Sequence, residues 1–256
     1  MLFRNRGEII INLILQKVIM DDITIAGAGI SGFACAITLK RLNPKLKVTI
    51  IEKNKDVGLN HHDDFQHMDN WNSKQEILKT LKNKFGFDLA PCNLGTVKEM
   101  TCFTPKNKKL ILKSKQPLFY ILKRGNKGNT IDNLLKKEAI KLGINIKFNA
   151  TTKMKTIDVI ATGAKKIQGL AHGYKFKTNL PDGIYGFLDD TIAKKDYAYI
   201  ANVKGEATLA NVLFTDYKNA KKLRDLCLKK FKIALGDFKM KQVKEFSGFD
   251  AYQYSK

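Results

Sequence analysis

The residues with the clearest chemical potential are Gly27, Gly29 and Gly32 in "IAGAGISG", followed twenty residues later by Glu52 in "VTIIEK". In a strand–turn–helix setting the first glycine of such a triplet allows a tight turn. The second admits a pyrophosphate against the backbone, and the third lets helix and sheet pack closely. The amides opening a helix near Ile30 and Ser31 then face the phosphates at its positive end. An acid closing the next strand can accept hydrogen bonds from an adenosine ribose. The chemistry to expect is therefore dinucleotide binding, by Gly27, Ala28, Gly29, Ile30, Ser31, Gly32, Glu52 and the neighbouring Lys53.

The flanking elements have the order that this chemistry requires. "DITIAG" is a short, β-branched apolar run, read as a buried parallel strand. "SGFACAITLKRL" has helical spacing and stops before Pro44, and "KVTIIEK" is a second strand. Further on, a helix is expected over 73–86 and a hairpin over 97–104 and 109–113, turning through "TPKNKK". "PLFYILKRG" reads as a third apolar strand. "NTIDNLLKKEAIKLG" reads as a capped helix ending at Gly143, with the strand "INIKF" after it. "IDVIATGA" is a short strand that runs into a glycine turn. From about 173 the short alternating runs indicate an antiparallel sheet, with one more helix over about 216–235.

The glycine motif alone does not separate FAD from NAD. "IDVIATGA" does, because it resembles the second FAD segment of glutathione-reductase-type flavoproteins. There a strand ending in Ala161, Thr162 and Gly163 brings its backbone near the dinucleotide. "VGLNHHDDFQHMDNW", "PLFYILKRGNKGNTIDNLLKKEAIKLGINIKF" and "AYIANVKGEATLANVLF" extend the likeness. Together these blocks resemble the geranylgeranyl reductase and lycopene cyclase-like flavoproteins over nearly everything from Met20 onward.

The resemblance implies an α/β fold: a three-layer FAD/NAD(P)-binding Rossmann-like domain with an interleaved antiparallel substrate sheet. It implies FAD as cofactor, with NAD(P)H or another reductant supplying electrons. The substrate would be small and apolar, with carbon–carbon double bonds of the isoprenoid kind. It also places Arg124, in "KRGNKGNTID", against FAD.

On this reading residues 1–19 are an N-terminal extension, 20–95 and 119–165 form the FAD-binding domain, 96–118 a substrate-sheet hairpin and 166–256 the substrate domain. Two departures stand out. The loop "KNKDVGLNHHDDFQ" has no cysteine where many geranylgeranyl reductases carry one. The family's third FAD segment, a Gly-Asp-Ala-Ala-Gly-like turn, should follow "VKEFSGFDAY", and the sequence stops at Lys256. The alternative expectations are a separately encoded C-terminal part and a non-catalytic dinucleotide-binding chain.

Composition narrows the rest. Apolar residues make up 44% of 256 and are spread along the chain, as in a globular protein. The four cysteines show no metal-ligand spacing and read as free thiols of a reducing cytoplasm. The net charge is +22, yet of 46 basic residues only Arg4, Arg6, Arg41, Arg124 and Arg224 are arginines. Lysines scattered over every segment argue against a nucleic-acid reader, which leans on arginine forks and aromatic platforms. The same charge attracts the chain to anionic lipid surfaces.

The histidines of "HHDDFQHMDNW" match no standard metal site. One of them could deliver protons near a flavin at neutral pH, or the segment could be a solvated loop. Phe119, Tyr120, Tyr185, Phe187, Tyr197, Tyr199 and Phe214 would line a lipid tunnel or an ordinary sheet core. No side chain is singled out as a catalytic acid or base.

Overall fold

The computed structural model describes residues 22–59, 61, 64–163 and 169–250. The N-terminal extension, Met20, His62, Asp63, Ala164 and the last six residues lie outside them. The run Asp22–Ala26 (β1) buries Ile23 and Ile25, and Gly27 then turns the chain into a helix at Ile30–Leu42 (α1). Helix α1 buries Gly32, Phe33, Ala36 and Ile37 along one stripe. It ends at Asn43, because Pro44 disfavours a helical residue before it. The Lys40 ammonium donates to the carbonyls of Pro44 and Leu46, at 2.7 and 2.8 Å, where the helix dipole is negative. Strand β2 (Lys47–Ile51) follows.

The chain continues through β3 (Phe65–Asp69), α2 (Ile77–Phe85), β4 (Asn93–Val97), β5 (Glu99–Phe103), β6 (Lys109–Lys113) and β7 (Phe119–Lys123). Next come α3 (Ile131–Lys141), β8 (Asn145–Lys147), β9 (Val159–Ile160) and β10 (Gly169–Lys177). It closes with β11 (Gly183–Phe187), β12 (Ala198–Val203), β13 (Glu206–Leu213), α4 (Ala220–Leu235) and β14 (Lys241–Asp250). Two compact units result. One comprises the described residues of Met1–Leu59 and Asp132–Gly163, the other those of Asn60–Ile131 and Ala164–Lys256. Each unit is thus built from two separated stretches of chain.

The first unit holds a four-stranded parallel sheet in the order β8-β2-β1-β9. Ile25, Ile50 and Ile146 lie in register across it, and the first two are fully buried, as parallel strands require. A bond of 2.7 Å from the Arg41 guanidinium to the Glu138 carboxylate sets α1 beside α3. Gly143, at φ 73°, ends α3 so that Ile144 N–H reaches Ala139 O and β8 can begin.

In the second unit, β14-β10-β13-β12-β11-β5-β6 form a seven-stranded sheet and β3-β7-β4 a three-stranded antiparallel one. The larger sheet is antiparallel as expected except where β5, arriving from the earlier stretch, runs parallel to β11. Helix α4 covers one core, in which Phe231 meets Phe187 edge-on at 4.9 Å among Phe103, Ile192 and Leu209. A second core joins Phe65, Val97 and Ile121 of the small sheet to Ile184, Ala201 and Val203 of the large one.

Two helices start later than the sequence suggests. Helix α2 begins at Ile77, not 73, because the buried Asn70 side chain accepts the Ile77 N–H at 2.8 Å and Glu76, at ψ 118°, is not helical. Helix α4 begins at Ala220, because Asp216 adopts a left-handed conformation and residues 217–219 form a tighter 3₁₀ turn. "PLFYILKRG" becomes β7, central to the antiparallel three-stranded sheet.

Candidate functional site

The turn between β1 and α1 is fixed by contacts that only glycine permits. Gly27 sits at φ 102°, and a Cβ there would lie 2.4 Å from the Ala161 carbonyl oxygen. A Cβ on Gly32 would lie 1.9 Å from the carbonyl oxygen of Gly27. Gly29 differs from both. Its φ of −82° is ordinary, and no atom lies within 4 Å of where its Cβ would be. Packing and backbone strain therefore explain Gly27 and Gly32 but leave Gly29 unexplained. Its open face is the approach that a pyrophosphate needs.

The helix end beside that face is prepared for an anion. No side chain caps α1, and its first turn carries no acid, so the dipole and the leading amides keep their positive field. Glu52, just beyond β2, holds the turn in place. Its carboxylate accepts the Ala28 N–H at 2.8 Å and the Asn54 N–H at 2.9 Å. Charged hydrogen bonds of this kind fix geometry firmly, and each carboxylate oxygen keeps lone-pair capacity for a ligand hydroxyl. Lys53 is exposed next to it.

The third piece arrives along β9. Asp158 docks this strand on β1 through Thr24, its carboxylate accepting the Thr24 N–H at 2.8 Å. The Ala161 N–H then reaches Ala26 O at 2.8 Å. Ala161 thereby packs on both Gly27 and Gly32, while Thr162 and Gly163, the latter at φ 80°, are exposed beside the turn. The structure thus joins Gly27–Gly32, Glu52 and Ala161–Gly163 within one unit. Arg124 belongs to the other unit, where its guanidinium donates to the Gln66 side chain at 3.2 Å and its backbone N–H to Asp64 O.

The histidine-rich segment takes a form that the sequence did not suggest. Part of it is strand β3, with His67 turned into the layer between the two sheets, 5.1 Å from the Tyr199 ring and 6.2 Å from that of Phe119. Its buried Nε2 has no hydrogen-bond partner, and burial holds the imidazole at a pKa of about 4. His67 therefore stays neutral at physiological pH and is not the histidine that would deliver protons there. His61 Nδ1 lies 3.3 Å from the Asp64 carboxylate. Among the described residues no group of three such side chains could hold a metal.

A shallow depression of about 460 Å³ between α2 and the small sheet is lined by Glu76, Lys79, Lys82, Asp88 and Tyr120. Two ion pairs sit on its wall, Lys79 with Glu76 and Lys82 with Asp88, each at 2.7 Å, and Lys98 adds a further cation. Burial and the Glu76 carboxylate push the Tyr120 hydroxyl up to about 12. Of the aromatics read as tunnel or core, Tyr120 and Phe187 are buried, and Phe119, Tyr185, Tyr199 and Phe214 are half-buried. Tyr197 is exposed. None of the four cysteines is in a disulfide.

Residues 25–73 match the family model of an NAD(P)-binding Rossmann-like domain. No curated protein matches the sequence. Among solved structures, a geranylgeranyl bacteriochlorophyll reductase-like protein from Thermoplasma acidophilum superposes with a TM-score of 0.63. It is 16% identical, over 89% of this chain and 66% of its own. The p-nitrophenol 4-monooxygenase of Pseudomonas putida gives 0.57 at 13% identity, over 89% and 68%. CtdE, in complex with FAD and a substrate, gives 0.56 at 13% identity, over 88% and 69%. This chain spans only about two thirds of the length of each, and the likeness is one of fold.

Proposed function

We propose that this chain, which has the fold of the FAD-binding Rossmann flavoproteins, binds FAD and belongs to an oxidoreductase. The observation that carries the reading is the contrast among the three glycines. Two are demanded by backbone packing, and the third leaves open space at the positive end of a helix. The pyrophosphate would rest on Gly29, Ile30 and Ser31, the adenosine ribose on Glu52, and the backbone of Ala161–Gly163 would flank the dinucleotide, with Lys53 adding a cation nearby. The flavin, when bound, supplies hydride transfer, with NAD(P)H as the proposed electron source. The residues of this chain bind and orient it. Contact between Arg124 and FAD is part of the proposal and rests on the sequence likeness.

The favoured substrate is an apolar molecule with carbon–carbon double bonds, of the isoprenoid class. Supporting it are the family-like sequence blocks and the half-buried aromatics Phe119 and Tyr199 between the two sheets of the second unit. The test is calorimetric titration of the purified apoprotein with FAD, ADP and NAD⁺, alongside flavin absorbance and anaerobic reduction by NAD(P)H. Preference for FAD, with turnover of a geranylgeranyl substrate, is the expected result. Equal affinity for FAD and ADP without turnover would favour a dinucleotide-binding chain that does no chemistry by itself. Failure to bind any of the three would refute the site.

A further inference from the structure

The hairpin of β5 and β6 forms one edge of the seven-stranded sheet, opposite the other exposed edge strand β14, and β6 carries three consecutive exposed aliphatics. All five of its residues are exposed, including Leu110 at 39%, Ile111 at 48% and Leu112 at 49%. Leu110 and Leu112 lie on one face of the ribbon, opposite Cys102 and Met100, and Ile111 on the other, opposite Thr101. Neither core reaches them. The core under α4 takes in Phe103 of β5, and the core between the sheets takes in Met100, but none of the three β6 aliphatics joins either. Leu188, 60% exposed, lies at the same end of the sheet, with its N–H on Phe103 O.

Around these aliphatics the charge is predominantly positive. Lys106, Lys108, Lys109, Lys113 and Lys115 surround them, and the sequence contains no acid between Met100 and Ile131. At the base, Lys113 pairs with Glu99 at 2.9 Å. The tip is stiff: the Thr104 hydroxyl accepts the Lys108 N–H at 3.1 Å, and Asn107 turns at φ 59°. Lysines commonly guard an edge strand against pairing with another chain, which accounts for the cations. It does not account for three consecutive exposed aliphatics, which a monomer normally avoids.

We propose that this hairpin docks the protein on an anionic lipid bilayer, with Leu110, Ile111 and Leu112 entering the interface and the lysines contacting lipid phosphates. A second copy of the chain is a poor occupant, because antiparallel pairing of β6 with its twin sets Lys109 opposite Lys113. A protein partner covers one face of a ribbon, whereas a bilayer meets both faces of an edge strand; here one face carries Leu110 and Leu112, and the other carries Ile111 between Lys109 and Lys113, an aliphatic flanked by cations that suits lipid phosphates. Exposed aliphatics beside lysines are the combination that interfacial binding uses. The inference does not depend on the flavin reading.

The experiment is sedimentation of the purified chain with vesicles of phosphatidylcholine, with and without phosphatidylglycerol, at low and high salt. Binding is expected only with the anionic vesicles. The combined substitution Leu110→Ser, Ile111→Ser, Leu112→Ser should weaken it by about tenfold or more while circular dichroism stays unchanged. Lys106→Gln with Lys108→Gln and Lys109→Gln should weaken it by about tenfold or more and flatten its salt dependence. An Ile111→Trp reporter in a Trp71→Phe background should shift its emission to the blue on anionic vesicles. Equal binding to neutral vesicles, a folded triple-serine variant that binds like the wild type, or an unshifted reporter would each overturn the proposal.

Discussion

Gly29→Ala and Gly32→Ala add the same methyl group to positions three residues apart, and the structure assigns them opposite consequences. At Gly29 the new Cβ meets nothing within 4 Å, and a φ of −82° suits alanine. The folded state loses no contact. Restricting the unfolded chain contributes about 0.4–1 kcal/mol in favour of alanine, offset by the slight preference for glycine at a helix N-cap. Stability should stay within about 1 kcal/mol of the wild type. At Gly32 the methyl would sit 1.9 Å from the Gly27 carbonyl oxygen, so helix and turn must separate. Overpacking of this kind costs about 1–3 kcal/mol, occasionally more. Binding should reverse the order of interest: the Gly29→Ala methyl occupies the pyrophosphate approach and should reduce ADP or FAD affinity at least about tenfold, roughly 1.4 kcal/mol. Urea denaturation combined with calorimetric titration reads both quantities. If Gly29→Ala bound ADP like the wild type, or lost more stability than Gly32→Ala, the assignment of that open face to a ligand would be refuted.

Glu52→Ala removes the acceptor for two backbone N–H groups as well as the proposed ribose partner. Dinucleotide affinity should fall by about 1–3 kcal/mol with the domain still folded, and unchanged affinity in the same titration would contradict the role. For His67, the folded imidazole stays neutral down to about 4 while the unfolded one protonates near 6.5, so the unfolded chain binds more protons in between. Its contribution is complete above 6.5 and falls by up to about 3 kcal/mol as pH drops toward 4. His67→Phe should shrink the difference in urea stability between pH 7 and pH 4.5, although His172, also lowered by burial and by Arg224, still titrates in the variant. An unaltered difference would show that the imidazole is not held neutral. Phe231→Ala, deep in the core under α4, should cost about 3–5 kcal/mol in equilibrium unfolding, and a loss below about 1 kcal/mol would mean that the core is misplaced.

The stretch from β1 to β2 was legible because strand, glycine turn, helix and acid are local and each residue type has one cheap explanation. The Ala161–Gly163 turn was legible through its likeness to a known segment, and the structure brings it onto Gly27 and Gly32. The small sheet was not. "FQHMD" looks like part of a polar loop, and it becomes a strand because β7 offers it a partner from more than fifty residues away. "NLGTV" is interrupted by an irregularity between Asn93 and Gly95 that breaks the alternation. The start of α2 depended on Asn70, seven residues upstream, taking the Ile77 amide. The neutral His67 could not be read from its type, because its pKa comes from burial between the two sheets, beside Tyr199 and Phe119 on other strands.

The way the two units share the chain bears on how the protein can be made. The parallel sheet lacks an edge until Val159 and Ile160 reach Ile25 and Ala26, more than 130 residues after β1 emerges. Meanwhile the β5–β6 hairpin must wait for β11, some eighty residues on, before its sheet exists. The first unit cannot close before the whole first stretch of the second has been synthesised, and the second waits for the strands from β10 to β14. Such long-range pairing makes refolding slow and leaves an aliphatic, lysine-rich hairpin exposed in the unfinished chain. Mutations that slow synthesis between Lys113 and Gly183 would prolong that interval, and chaperone dependence would rise with it.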